Sequence, residues 1–242
     1  MIKIKILTPA FNCEKEIETT IYSVFGQTFK NWELLVIDDV STDNTGQKVL
    51  DMAMACGYDD RVTVKRREEK YGEVRNTVEE CLEWDDDDVC VRLDAGDFLT
   101  DLGCFEILNS IYERYDPAVL WTNQRWAFTD YSVCGPINPE ISLYEQPWKS
   151  SHLKTFRVKD FKGINLKNYK DDEGNWLMIG GDQTSFLPMM ERARRAGRPL
   201  LYLPKVMYHY SINLEDPQLF KSERSLWQKN SVERLRERGY IE

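Results

Sequence analysis

Apolar and polar positions along the first hundred residues predict strand and helix in turn. Ile2, Ile4 and Ile6 alternate with Lys3 and Lys5, the period of a strand with one covered face, and Leu7-Thr8-Pro9 closes the run. Ile17, Ile21, Val24 and Phe25 then fall at the i, i+4, i+7, i+8 spacing of a one-sided helix. Residues 34–37 are an unbroken apolar run stopped by Asp38 and Asp39, as expected of a strand covered on both faces. Residues 41–44 offer capping side chains for a helix whose apolar face includes Val49, Leu50 and Ala53. Residues 62–64 read as a short strand, Val74, Val78, Cys81 and Leu82 as a helix, and residues 89–93 as a fourth strand. Such alternation predicts an α/β fold, a mostly parallel central sheet flanked by helices.

Beyond about residue 100 the pattern loosens. A helix over about 101–115 and a strand over 118–122 continue the first layer, whereas 123–180 is rich in Trp, Asn, Pro and Gly and has little period. A stretch of that kind is expected to be a binding or lid region. Helical spacing returns near 183–196, followed by the apolar run 200–203, a last strand around 206–210 and an amphipathic helix over 219–238. The expected organisation is one compact domain with two halves, 1–122 and 123–242.

The 242 residues are 42% hydrophobic and 12% aromatic, enough to offset the entropy of ordering and to exclude a disordered chain. The net charge of −9 argues against a generic polyanion binder, which rests on surplus Lys and Arg. No run approaches the ~18 apolar residues of a membrane span, and no apolar leader opens the chain, so a soluble, cytoplasmic protein is expected. The six cysteines form no CxxC pair and there are two histidines, which gives no zinc pattern and suggests reduced thiols in a reducing compartment.

Ligands of an open parallel sheet bind outside the carboxyl ends of its strands. There the first strand ends in Thr8-Pro9-Ala10-Phe11-Asn12, the second in Asp38-Asp39 and the fourth in Asp94-Ala95-Gly96-Asp97. Four acids from two strands at one rim repel unless a cation joins them, and oxygen ligands without a thiolate cluster favour Mg²⁺ or Mn²⁺. There is no GxGxxG after the first strand, no GxxxxGK[ST] and no GxSxG, so dinucleotide, P-loop and nucleophile-elbow readings fail.

The segment from Ile4 to Asp51, with TPAFN and SVFGQTFKNWELLVIDDVSTDNT, resembles the opening of a family 2 glycosyltransferase of the A-type, Rossmann-like fold. YGEVRN at 71–76, LDAGDFL at 93–99 and IGGDQTSF at 179–186 resemble that family's later motifs in the same order. The resemblance implies an inverting, metal-assisted transfer from a nucleotide-diphosphate sugar, a UDP-sugar foremost, with 1–122 holding the donor and 123–242 the acceptor. Pro9 and Phe11 would line the base pocket, Asp39 would accept from the base, and Arg75 would lie near base or phosphates. Asp94 would bind ribose and the metal-diphosphate, Asp97 the metal, and Asp182 would be the general base. His209 is read either as approaching the metal or as a packed core histidine.

Two departures stand out: Gly96 occupies a position where the family more commonly has Asp, and Gly181 one where it more commonly has Glu. Pro188 either kinks a helix begun at Asp182 or marks a later start. Asp38 has a plain alternative as a loop cap, and His152 is expected on a surface loop. Trp121, Trp126, Trp148 and Trp176 are expected to divide between core and acceptor cleft. The acceptor is left open between a glycan or small molecule, hydroxymethylated bases of phage DNA, and a lipid-linked species. A non-catalytic nucleotide-sugar-binding protein and a nucleotidyltransferase are the alternative functions.

Overall fold

Three strand–helix units and a fourth strand, each with an apolar run or stripe, assemble in the computed structural model into one half of an eight-stranded sheet. The structure describes residues 1–127, 129, 131–178, 181–211 and 222–242, with 222–227 as backbone only. β1 (Ile4–Ala10), β2 (Trp32–Asp38), β3 (Val62–Arg66) and β4 (Val89–Arg92) are parallel, in the order β3-β2-β1-β4. The crossovers pass through α1 (Ile17–Phe25), α2 (Thr45–Cys56) and α3 (Gly72–Glu83). Leu7 of β1 is level with Leu35 of β2 and Arg92 of β4, so the residues that follow these strands leave at one rim.

Strand alternation feeds two cores, one on each face of the sheet. Ile4, Ile6, Leu34, Val36 and Val91 pack with Ile17, Ile21, Val24, Val49, Ala53 and Phe105. Leu7, Ile37 and Cys90 pack with Val74, Val78, Cys81, Phe156, Phe186 and Met190. Each such side chain contributes about 1.5–3 kcal/mol on burial, which makes these two layers the main support of the rim. Leu50 and Leu82 differ from expectation: each lies one residue round its helix from the buried stripe and reaches solvent.

The second half holds more structure than its sequence suggests. β7 (Lys154–Arg157) enters antiparallel between β4 and β6 (Val119–Trp126), inside the stretch read as irregular. Its four residues are all buried, although Lys and Arg stand at its two ends, because Lys154 meets Asp182 and Arg157 meets Asp116. After β7 come α5 (Val158–Lys162) and a 3₁₀ turn over Leu166–Tyr169. Both apolar runs near the end belong to one strand, β8 (Leu200–Tyr210), parallel to β6. Its register slips between Leu203 and Val206, where Pro204 has no N–H to give the ladder. β5 (Phe98–Leu99) closes the far edge antiparallel to β8. Four of the seven strand junctions are parallel and three antiparallel, so the sheet is mixed.

α4 (Cys104–Tyr115), α6 (Gly181–Arg195) and α7 (Ser222–Arg238) complete the layers. α6 starts at Gly181 and runs through Pro188, so the proline does not postpone its start. Residues 219–221 of the expected tail helix lie outside the described residues. The cysteines are free, with Cys13, Cys81, Cys90 and Cys104 buried and Cys56 exposed. Among the described residues, no helix is long and apolar enough to cross a membrane.

Candidate active site

Two groups of side chains meet at the rim. The first surrounds Asp39, which follows β2 and is buried. Its Oδ1 and Oδ2 each accept a 2.9 Å hydrogen bond, from the backbone N–H of Tyr71 and of Gly72. An acid here suits the positive end of α3, and Gly72 adopts a φ of +73°, a conformation open to glycine. Asp38 closes its own loop, accepting from Ser41 N–H at 2.7 Å and from the Arg66 guanidinium at 3.0 Å. Pro9 sits in β1 opposite Ile37, and Phe11 beyond the strand end is 49% exposed. The Lys70 ammonium lies 3.0 Å from the Phe11 ring centroid. Arg75 stacks on Tyr71 at 3.4 Å and pairs with Glu79 at 2.7 Å.

The second group is built where β4 and β7 meet. β7 runs against β4, so its first residue arrives at the carboxyl end of β4, with Lys154 level with Arg92. Arg92 is 1% exposed, and its Nη2 donates to Glu73 Oε1 at 2.8 Å and to Asp94 Oδ1 at 3.2 Å. Its Nη1 donates to Thr77 Oγ1. Lys154, equally buried, donates from Nζ to Asp182 Oδ1. Asp182 stands in the first turn of α6, and its Oδ2 lies 3.4 Å from His152 Nε2. The His152 ring stacks on Tyr208, 4.6 Å between centroids.

Ligand atoms of Asp94, His152 and Asp182 all lie within 4.8 Å of one another. Two carboxylate oxygens and an imidazole nitrogen are an acceptable donor set for a divalent ion, and His152 Nδ1 is buried without a hydrogen-bond partner. These residues therefore fit a cation. Burial would raise the Asp94 carboxyl, but the Arg92 guanidinium, with Lys154 behind it, outweighs this and holds it below its ordinary range. Burial, seconded by Lys154, pushes the His152 imidazole down to about 3, so it is neutral with a free lone pair at pH 7. Burial also lowers Lys154 to about 8, against the pull of Asp94 and Glu73.

The depressed His152 gives a signed prediction. The unfolded chain takes up a proton near pH 6.5 and the folded one only near 3, so stability falls as pH drops through that window. Wild type is expected to lose about 2 kcal/mol more than His152→Asn between pH 7 and pH 5, measured by urea unfolding.

Asp97 lies to one side of this group. Its Oδ2 accepts from Tyr208 Oη at 2.6 Å and its Oδ1 from Ser211 N–H at 2.8 Å, while burial and then Asp94 push its carboxyl up to about 7. His209 stacks on Phe98 at 4.3 Å, and burial followed by Arg125 lowers its imidazole. The structure thus joins Asp94 and Asp182 with His152, and sets Asp97 and His209 along the β5–β8 edge. Gly96 has a φ of +97° in the turn between Asp94 and Asp97 and donates its N–H to Thr20 Oγ1 at 2.9 Å. A side chain would be strained there, which accounts for glycine at this position. At Gly181 a Cβ would collide with Glu73 Oε2, so a carboxylate from α3 already fills that space.

His152 corrects the expectation of a surface loop residue: it is 3% exposed, carried inward by the chain entering β7. Glu73, Arg92 and Lys154 are site residues that sequence reasoning missed. Arg92 carried a signal, a lone charge inside the apolar run Val89-Cys90-Val91 and beside Asp94; Lys154 carried none. A separate groove of about 1020 Å³ opens at the amino ends of β1 and β4, beside Lys3 and residues 85–88. Asp86 is paired there with Lys162 and Asp116 with Arg157, and the groove lies at the end of these strands opposite the rim.

The same arrangement of sheet and helices occurs in enzymes that handle nucleotide sugars. S. aureus TarS 1–349 in complex with UDP superposes with a TM-score of 0.64 over 100% of this chain and 67% of that one, at 16% identity. The mannosyltransferase PcManGT from Pyrobaculum calidifontis, in complex with GDP-Man and Mn²⁺, gives 0.65 over 95% and 62%, at 15% identity. These define the class by fold, that of the A-type glycosyltransferases. Residues 5–171 match the model of glycosyl transferase family 2, and the chain belongs to that family. WfgD of Escherichia coli, a UDP-Glc:alpha-D-GlcNAc-diphosphoundecaprenol beta-1,3-glucosyltransferase, is 50% identical over 50 residues, 21% of this chain and 20% of that protein. The putative glycosyltransferase EpsE of Bacillus subtilis is 37% identical over 60 residues, 25% of this chain and 21% of its own. The matched stretches span about a fifth of those relatives' length.

Proposed function

We propose that the chain moves a sugar from a nucleoside-diphosphate sugar, a UDP-sugar foremost, to a sugar hydroxyl of an acceptor, with inversion. The observation that carries this reading is the convergence of Asp94, His152 and Asp182 at the carboxyl ends of the strands. Asp182 takes the acceptor's proton as its oxygen attacks the sugar's anomeric carbon; the bond from that carbon to the diphosphate breaks and UDP departs. Pro9, Phe11, Asp39 and Arg75 surround the base side of the donor, the amide-anchored Asp39 keeping lone pairs for a base N–H. Asp94 and His152, with one oxygen of Asp182, would hold Mn²⁺ or Mg²⁺, which when bound supplies positive charge against the diphosphate. Asp97 acts behind them through Tyr208, whose hydroxyl also accepts from Asp94 N–H at 3.3 Å.

A glycan acceptor is favoured over modified DNA by two features. The net charge of −9 disfavours a phosphate backbone. Trp126 and Tyr131, both exposed, stand 5.9 Å apart at the end of β6, where Trp126 pairs with Tyr210, and offer faces for a sugar ring.

Thermal unfolding with UDP, UDP-glucose, UDP-GlcNAc and GDP-mannose, with and without Mn²⁺, tests the donor. A ligand at about 100 times its Kd adds about 2.7 kcal/mol, a rise of roughly 5–10 °C for a chain of this size. A metal-dependent rise with a UDP-sugar, joined by UDP release when a GlcNAc-diphosphate-alkyl acceptor is supplied, is the expected result. A rise without release from any acceptor marks a binding protein, and no rise with any nucleotide rejects the reading.

A further inference from the structure

Three carboxylates crowd the cleft, those of Glu73, Asp94 and Asp182, and two buried cations face them from adjacent positions on β4 and β7. Among these five groups the negative charges exceed the positive by one. The two cations are held very differently. Arg92 is committed at both terminal nitrogens, to Thr77, Glu73 and Asp94. Lys154 is a point charge on a flexible stem, and its ammonium rests on Asp182 Oδ1 with the Phe186 ring 4.9 Å away. It therefore stands against one of the three groups that fit a divalent ion.

We propose that Lys154 is an exchangeable counter-ion: in the free protein its ammonium holds Asp182, and on donor binding it transfers to the diphosphate. While it holds Asp182, a divalent ion arriving alone meets a like charge in contact with one of its ligands. A diphosphate brings two negative charges and gives the ammonium a stronger partner, which leaves both oxygens of Asp182 available. Donor arrival is thus coupled to the freeing of the carboxylate that receives the acceptor's proton. The donor half of this inference rests on the proposed function; the competition between Lys154 and a cation does not.

The test measures Mn²⁺ alone by calorimetry, and UDP alone in EDTA, against wild type, Lys154→Met and Lys154→Arg. Lys154→Met is expected to bind Mn²⁺ roughly tenfold more tightly and UDP roughly tenfold more weakly, changes of about 1.4 kcal/mol in opposite directions. Lys154→Arg, which keeps the charge, is expected to stay near wild type for both. Loss of structure weakens both ligands together and cannot produce opposite signs. If Lys154→Met does not fold, Lys154→Gln supplies the same pair of readings. Mn²⁺ binding no tighter without the ammonium, with UDP binding by wild type intact, overturns this inference alone. A wild type that binds no UDP overturns the functional reading together with the donor half of this one.

Discussion

Asp182→Asn is expected to lower sugar transfer about 10²–10⁴-fold at saturating UDP-sugar and Mn²⁺, while the variant still binds the donor. The substitution keeps the size of the side chain, and the amide oxygen still accepts from the Lys154 ammonium, so the first turn of α6 is preserved. What it removes is the oxygen able to take the acceptor's proton. Steady-state UDP release and donor titration by calorimetry separate the two quantities. Turnover within about tenfold of wild type would move the proton to another acceptor. His152 would be the first to examine, since its ring is neutral and within 3.4 Å of the same carboxylate.

The second large effect is on stability. Arg92→Met removes the guanidinium that lies between Glu73, Asp94 and Thr77. The methionine fills the volume but leaves the acids facing one another, and because those acids are 34% and 35% exposed the cost is about 2–4 kcal/mol, below that of a fully buried pair. For a chain of this length that is a fall in Tm of roughly 10 °C. Arg92→Lys is expected to recover only part of it, because one ammonium cannot reproduce a fork that serves three partners from two nitrogens. Thermal and urea unfolding of the three proteins at pH 7 check both statements. A Tm within about 2 °C of wild type in the methionine variant would show that the acids had found other cations.

The first half of the fold was legible because periodicity and punctuation agree there. The apolar runs of β1, β2 and β4 each end in a polar turn, and the α1 and α3 stripes have a clean helical period. From those ends alone Asp39, Asp94 and Asp97 could be placed at one rim. β7 was not legible: Lys-Thr-Phe-Arg has charges at both ends, and its burial depends on Asp182 and Asp116, which lie far along the chain. His152 and Lys154 were missed for the same reason, since their role is created by an antiparallel pairing that no local pattern announces. Glu73 was hidden differently. It is one more acid on an acidic helix until Gly181 leaves room for its carboxylate.

The insertion of β7 between β4 and β6 has a consequence for recombining this chain with other transferases. A chimaera joined after β6 would exchange more than surface residues. It would replace β7, one of the two central strands of the sheet, and with it His152, Lys154 and Asp182, while Glu73, Arg92 and Asp94 stayed behind in the other parent. Charges matched within one lineage would then face partners from another. Under the proposed function, acceptor range is therefore more safely altered by substitutions around Trp126 and Tyr131 than by exchanging whole halves.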